Sequence, residues 1–259
     1  ITRALYALEH WIYKKADAIV FTMFGGKDYI VDKGWDHDVD LKKVYYINNG
    51  GDLKIYRKQE KEEFLPDEDL DRTDTFKVMY TGSMGVANSV QDILDAAILL
   101  KEHKEIQFFL YGAGYQEEDL KKYKEEHHID NVHFKGRVNK KYIPGILSRG
   151  SLNMLTGPSD RVSEYGMSMN KMFDYMMAAK PIIQAIDAGN NLVGEADCGI
   201  DVEPDNVGEI SKAILALKSM PEEERRRLGE NGKKFVLSNH TYQVLGKRFF
   251  DIMNNLIKK

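Results

Sequence analysis

A single cysteine, Cys198, is all that the 259-residue chain contains. No disulfide can form within it, and such usage suits a reducing compartment. There is no excess of basic charge: 37 Lys and Arg stand against 41 Asp and Glu, a formal net charge of −4. That balance argues against a general nucleic-acid surface, which needs a basic patch. No apolar run approaches the ~20 residues that span a bilayer. The seven histidines show no spacing suited to zinc, and His127-His128 is read as a solvent-facing helix end. No secretory leader is visible, but the chain opens on Ile1. The expectation is that Ile1 is an internal position of a longer protein, in which case a missing leader says little.

What is present is enough apolar sequence, 42%, for one large or two modest domains. From residue 76 short apolar runs alternate with amphipathic stretches. Strands are expected at 77–82, 106–111, 131–134, 152–155, 181–185 and 199–202. Helices are expected between them at 89–103, 117–127, 142–148 and 191–196, then at 206–218, 221–236 and 242–257. Ser89 and Asp92 have the spacing of a capping box. Regular alternation of this kind implies an α/β fold with a doubly wound parallel sheet, whose ligands bind beyond the carboxyl ends of the strands. The loops that fall there are 81–88, 111–115, 136–139 and 158–171. The first seventy residues carry only two strand-like runs, at 18–21 and 44–47, and two helical ones, at 4–15 and 27–33. Two strands cannot complete a domain, so this part reads as the tail of a preceding one. The charged stretch 57–74 reads as a surface excursion or linker, and its Asp69-Leu-Asp71 as a solvated loop rather than a metal motif.

The richest segment is 164–181, a loop, then a helix, then a buried strand. Ser168 is placed to cap that helix, which puts Lys171 in the first turn. A cation there opposes the helix macrodipole by ~0.3–1 kcal/mol, a cost that makes sense if an anion binds both the free amides and the ammonium. Asp174 shares a face with Asn170 and Lys171 and is placed to grip sugar hydroxyls. The segment therefore reads as a nucleotide-diphosphate pocket, against the plainer alternative of a solvated Lys171 and a simple cap.

The ordered set Ala16-Asp-Ala-Ile-Val20, Ile47-Asn-Asn-Gly-Gly-Asp52, Tyr80-Thr-Gly-Ser83, Tyr111-Gly-Ala-Gly114, Phe134-Lys-Gly-Arg-Val138, Asn170-Lys-Met-Phe-Asp-Tyr175 and Ala196-Asp-Cys-Gly199 resembles the C-terminal half of a GT-B glycosyltransferase of family 4. The Asn-Lys before the helix is similar to bacterial amino-sugar transferases of surface polysaccharide synthesis. The resemblance implies a Rossmann-like donor domain at 76–238, a hinge or linker at 49–75, a remnant of the N-terminal acceptor domain at 1–48, and a last helix within 239–259 that crosses back. It implies a donor that is a nucleoside-diphosphate sugar, UDP-linked, with no further cofactor and no metal. The acceptor is a glycan or lipid-linked sugar reached through the N-terminal domain. The location implied is cytoplasmic, peripheral at the inner face of the membrane.

By the same resemblance Gly82, Ser83, Gly85 and Asn88 form the loop that approaches the diphosphate and sugar, with Tyr111, Gly112 and Gly114 on the next loop. Arg137 and Val138 meet the nucleobase. Glu164, Gly166, Ser168, Met169, Asn170 and Lys171 hold the diphosphate and sugar, and Asp174 takes the second acidic place of the E-x7-E motif, on the ribose. Gly166 stands where the first acid belongs, with Glu164 two residues early. Ser83 and Asn88 replace basic residues of the first loop, which leaves Lys171 as the catalytic cation that balances the leaving phosphate. Ala179 replaces a glycine before Lys-Pro. Retaining, metal-independent transfer is implied. The missing first acid also motivates a rival, a non-catalytic GT-B subunit that supports a partner. A sugar-nucleotide 2-epimerase and a generic dinucleotide binder fit less well: the first lacks placeable catalytic groups and the second lacks G-x-G-x-x-G.

Overall fold

The computed structural model describes residues 2–159 and 163–258, so residues 160–162 of the expected ligand loop 158–171 lie outside the described residues. The chain begins with helix α1 (Thr2–Lys15), strand β1 (Ile19–Phe21), α2 (Gly26–Asp32) and β2 (Val44–Tyr46). β1 and β2 pair in parallel as a separate two-stranded sheet, with Ile19, Ile30, Val39 and Val44 as its small core.

The main body follows as α3 (Leu53–Glu62), α4 (Glu68–Asp71), β3 (Phe76–Thr81), α5 (Val90–Leu99), β4 (Ile106–Tyr111), α6 (Glu117–Glu126), β5 (Val132–Gly136), α7 (Ile143–Ser148) and β6 (Leu152–Thr156). It continues through α8 (Asn170–Met177), β7 (Ile182–Ala185), α9 (Leu192–Glu195), β8 (Gly199–Val202), α10 (Val207–Ser219), α11 (Glu222–Asn239) and α12 (Tyr242–Ile257). The strands form one six-stranded sheet in the order β5-β4-β3-β6-β7-β8, with every pairing parallel. This is the doubly wound α/β architecture expected from the alternation.

Both faces of the sheet are covered, which is why its central strands read as unbroken apolar runs instead of alternating ones. Val78, Tyr80, Phe108 and Leu110 point to one face, where α5 and α10 pack. Met79, Phe109, Tyr111 and Leu155 point to the other, against α7 and α8. Strand order reverses between β3 and β6, and the crevice beyond their carboxyl ends is the expected place for a ligand. These two strands pair only at Val78–Leu152 and Met79–Asn153, so beyond Met79 the backbone of β3 has no neighbour on that side. The Tyr175 hydroxyl of α8 fills the gap and accepts the Thr81 amide at 2.8 Å.

Several local expectations are corrected. Ser89 and Asp92 do not form a capping box. Ser89 has φ 39°, makes no side-chain cap and follows a 3-10 turn at Val86–Asn88. The helix also stops at Leu99, short of 103. The stretch 57–74 is largely exposed, but it is tied to the sheet domain at several points. α3 packs on α7, Tyr56 and Leu70 are buried, and Asp67 accepts hydrogen bonds from Lys135 Nζ at 2.8 Å and Tyr111 at 2.5 Å. Asp69 and Asp71 pair with Lys135 and Arg149 at the surface. Three of its aspartates thus partner basic residues of the sheet domain.

The first and last helices bury little. α1 has no buried residue and exposes Leu5, Leu8, Trp11 and Ile12, while α12 buries only Leu245 and exposes Phe249, Phe250 and Ile257. No helix among the described residues is long and apolar enough to cross a membrane.

Candidate donor site

The site is built where three carboxyl-end loops meet the start of α8. The loop after β3 is held against the loop after β4 through backbone pairs: Gly82 N donates to Tyr111 O at 2.9 Å and Met84 N to Ala113 O at 3.0 Å. A side chain at Gly112 would meet Gly82 O at 1.7 Å, and one at Gly114 would meet Met84 O at 2.1 Å. Glycine is required at both positions by this close backbone approach. The result is an open cavity of about 420 Å3 lined by Gly82, Ser83, Tyr111, Gly112, Arg137, Val138, Asn170, Lys171 and Asp174, with Thr81, Ala113, Lys140 and Ile143.

The first group of these are residues marked in the sequence. The other expected site residues stand back from the cavity. Gly85 packs on the Tyr115 ring. Asn88 lies behind Lys171. Gly166 has φ 98° and abuts Asn190, Met169 lines a separate small apolar void of about 20 Å3 with Met172 and Phe173, and Glu164 is exposed. Ser168 does not cap α8. The helix starts at Asn170 after an extended Met169 with no side-chain cap, and the Ser168 hydroxyl donates instead to Asn48 Oδ1 at 2.6 Å. Among the described residues the first amides of α8 therefore have no side-chain acceptor, and Asn170 and Lys171 line the cavity.

Lys171 is in the first turn, as its spacing predicts. Its Nζ donates to Asn88 Oδ1 at 2.6 Å, lies 3.4 Å from the Tyr80 hydroxyl, and sits 4.7 Å from the Tyr80 ring centroid. All these partners are neutral, and burial pushes the amine down to about 7. One turn on, Asp174 is raised above the usual carboxylate range by its own burial, with Lys140 pulling the other way. An amine without a counter-charge and a carboxylate without a hydrogen-bond partner among the described residues, one turn apart on a cavity wall, can hold an anion and a diol side by side.

Lys140 and Ile143 were not singled out by sequence, and Tyr80 and Tyr175 stand in the quoted motifs without a role assigned to them. Each tyrosine is fully buried, but their hydroxyls anchor the site: Tyr80 donates to Ser83 O at 2.6 Å, and Tyr175 holds Thr81. Buried tyrosines need such a partner, so a tyrosine ending a core strand beside a glycine loop was the available signal. Among the described residues no group of three His, Cys, Asp or Glu is placed to hold a metal ion.

The family model described as "Glycosyl transferases group 1" matches residues 61–235, and no curated protein matches the sequence. Among solved structures, sucrose-phosphate synthase from Thermosynechococcus elongatus superposes with a TM-score of 0.74 at 18% identity, over 99% of this chain and 62% of that one. HepE of Anabaena, solved with UDP and glucose, gives 0.77 at 14% identity over 98% and 68%. TarM of S. aureus, solved with fondaparinux, alpha-GlcNAc-glycerol and UDP, gives 0.72 at 14% over 96% and 46%. At these identities the likeness establishes the fold, a GT-B type with a Rossmann-like sheet. The chain spans less than two thirds of the first of these proteins and less than half of TarM.

Proposed function

Because the chain belongs to the glycosyl transferases group 1 family, we propose that its cavity is the donor site of a family 4 glycosyltransferase that moves a sugar from a nucleoside-diphosphate carrier, UDP-linked, to a glycan or lipid-linked acceptor. The single observation that carries this reading is Lys171: a half-buried amine with only neutral partners, at the open amino end of α8, on the wall of a cavity floored by a glycine loop. Such a group is short of negative charge, and a diphosphate supplies it.

In this reading the diphosphate lies against the α8 amides, the Gly82–Ser83 backbone and Lys171. Asp174 accepts hydrogen bonds from ribose hydroxyls, and Arg137 and Val138 border the base. As the sugar–phosphate bond breaks, charge builds on the departing phosphate, and the preorganised amine and amides stabilise it. Metal-independent, retaining transfer in bacterial surface polysaccharide synthesis, with an amino sugar carried, is the biological setting we infer. It takes place in the cytoplasm, peripheral at the inner face of the membrane. HepE and TarM were each solved with UDP, which supports the choice of nucleotide. The acceptor is expected on a further N-terminal domain, against which the bare faces of α1 and α12 would pack. On that account this chain binds donor but does not turn over by itself.

The competing reading, a non-catalytic partner subunit, is favoured by Gly166 at the place of the first acid, with Glu164 exposed instead of drawn into the cavity. Calorimetric titration with UDP, GDP and UDP-N-acetylglucosamine separates the two. Micromolar binding of the uridine nucleotides with weaker GDP supports the donor site, and no binding of any nucleotide supports the partner subunit. Robust product from this chain alone would overturn the division of labour.

A further inference from the structure

The chain enters α8 through residues 164–169, and this lead-in is held from the small sheet. Ser168, in the turn of chain just before Lys171, is gripped at both of its polar groups. Its carbonyl accepts Asn49 Nδ2 at 3.0 Å, and its hydroxyl donates to Asn48 Oδ1 at 2.6 Å. Asn48 is buried and oriented from two sides. Its Nδ2 donates to the Tyr46 hydroxyl at 2.8 Å, and its Oδ1 also accepts the Asn49 amide at 2.7 Å. Tyr46 ends β2, so this run of hydrogen bonds leads from the small sheet to the start of α8. Earlier in the lead-in, Gly25 N donates to Tyr165 O at 2.6 Å, and the Tyr165 hydroxyl donates to Asp32 Oδ2 at 2.8 Å. On the side of the large sheet, Met167 N donates to Asn190 Oδ1 at 3.1 Å. The segment is suspended between the two sheets.

α8 needs such an anchor. Met169 precedes it in an extended conformation and gives no side-chain cap, so the first turn lacks the local bond that ordinarily keeps a helix end from fraying. Further in, the helix is held by other means, since Tyr175 binds the Thr81 amide. What Ser168 governs is therefore the first turn, where Asn170 and Lys171 line the cavity proposed for the donor. A displacement of about 1 Å there is enough to break a hydrogen bond. None of residues 46–49 lines that cavity, so Asn48 and Asn49 support the first turn without touching a ligand in it.

We propose that Asn49 and Asn48 are positioning residues of the donor site. By holding Ser168 they stand in for the missing cap of α8, and they fix the amides and the ammonium of its first turn where a diphosphate meets them. The proposal rests on the donor reading and deepens it. It also carries a reciprocal consequence: a diphosphate that orders the first turn steadies Asn48 and Asn49 in return.

The test titrates UDP and uridine into the intact chain and into its Asn49→Ala, Ser168→Ala and Ser168→Thr variants. Asn49→Ala should lose about tenfold in UDP affinity, the scale of one charge-assisted hydrogen bond, with uridine binding unchanged. Ser168→Ala should shift UDP in the same direction, and Ser168→Thr, which keeps the hydroxyl, should bind it as the native chain does. UDP should also slow hydrogen exchange at residues 46–49 of the native chain, and Asn49→Ala should abolish that slowing. An equal fall in UDP and uridine affinity, as a general loss of fold would give, would overturn the assignment. Unchanged UDP affinity in both alanine variants, or Ser168→Thr no better than Ser168→Ala, would overturn it too. If the native chain binds no UDP, the donor reading itself fails and the assignment falls with it.

Discussion

The Lys171 ammonium of α8 reaches 2.6 Å from the side-chain oxygen of Asn88, on the loop that follows β3. One hydrogen bond thus joins the two elements that form opposite sides of the cavity proposed for the donor. It aims the amine across the crevice and gives it a neutral partner instead of a carboxylate, which keeps its charge available to a ligand. Asn88→Ala is expected to leave the cation in place but unaimed, so UDP affinity should fall less than on removal of Lys171. Titration of the two variants side by side checks the order.

Burial holds the Lys171 amine near 7 against its ordinary 10.5. Between those values an unfolded chain carries the proton and the ligand-free fold does not. The unfolded state therefore binds more protons, and stability of the free protein should rise with pH across this window. On the proposed donor reading a bound diphosphate restores the ammonium, so UDP binding should take up a proton above neutrality and weaken as pH rises. The second ionisation of a phosphate group, near ~6, lies below the window. Asp174 is the nearby acid and is raised by its own burial, while Asn88 and Tyr80 bring no charge. Calorimetry at about pH 8 in two buffers of different ionisation enthalpy measures the uptake, and Lys171→Met should abolish it.

Tyr175→Phe should destabilise the fold by about 1–3 kcal/mol, the cost of leaving a buried amide unsatisfied. The Thr81 amide has no strand partner beyond the short β3–β6 ladder, and only the phenol hydroxyl reaches it. Urea denaturation gives the size of the effect. Faster hydrogen exchange at residues 81–83, with the α5 amides unchanged, locates it on the loop after β3.

Ala179 ends α8 with φ 53°, in the left-handed region that costs a residue with a Cβ about 1–2 kcal/mol. Ala179→Gly should therefore stabilise the chain by up to about 1 kcal/mol, read as a higher urea midpoint at an unchanged slope. The departure from a glycine at this position, visible in the sequence, is a matter of backbone strain and does not touch the cavity.

Much of this was legible because the sheet is buried on both sides: continuous apolar runs at 106–111 and 152–155 fall on β4 and β6 with little ambiguity. The first-turn position of Lys171 and its shared face with Asp174 also followed from helical spacing. Ser168 was misjudged as a cap because its hydroxyl has a competing partner, Asn48, 120 residues away in sequence, and local spacing cannot register that. The anchoring of the 57–74 segment escapes local reading for a related reason. Its aspartates resemble solvated charges until β5 and α7 bring Lys135 and Arg149 to them. Tyr80 and Tyr175 were hidden inside the hydrophobic pattern itself, since ring burial and hydroxyl function look alike in a sequence.

The most direct test of the account compares UDP and uridine binding in the native chain and in Lys171→Ala. Loss of a charge-assisted phosphate contact is worth about 1.5–3 kcal/mol, so UDP affinity should drop roughly ten- to hundredfold while uridine binding stays the same. Equal UDP affinity in the two proteins would contradict the placement of the diphosphate at the start of α8, and with it the donor site.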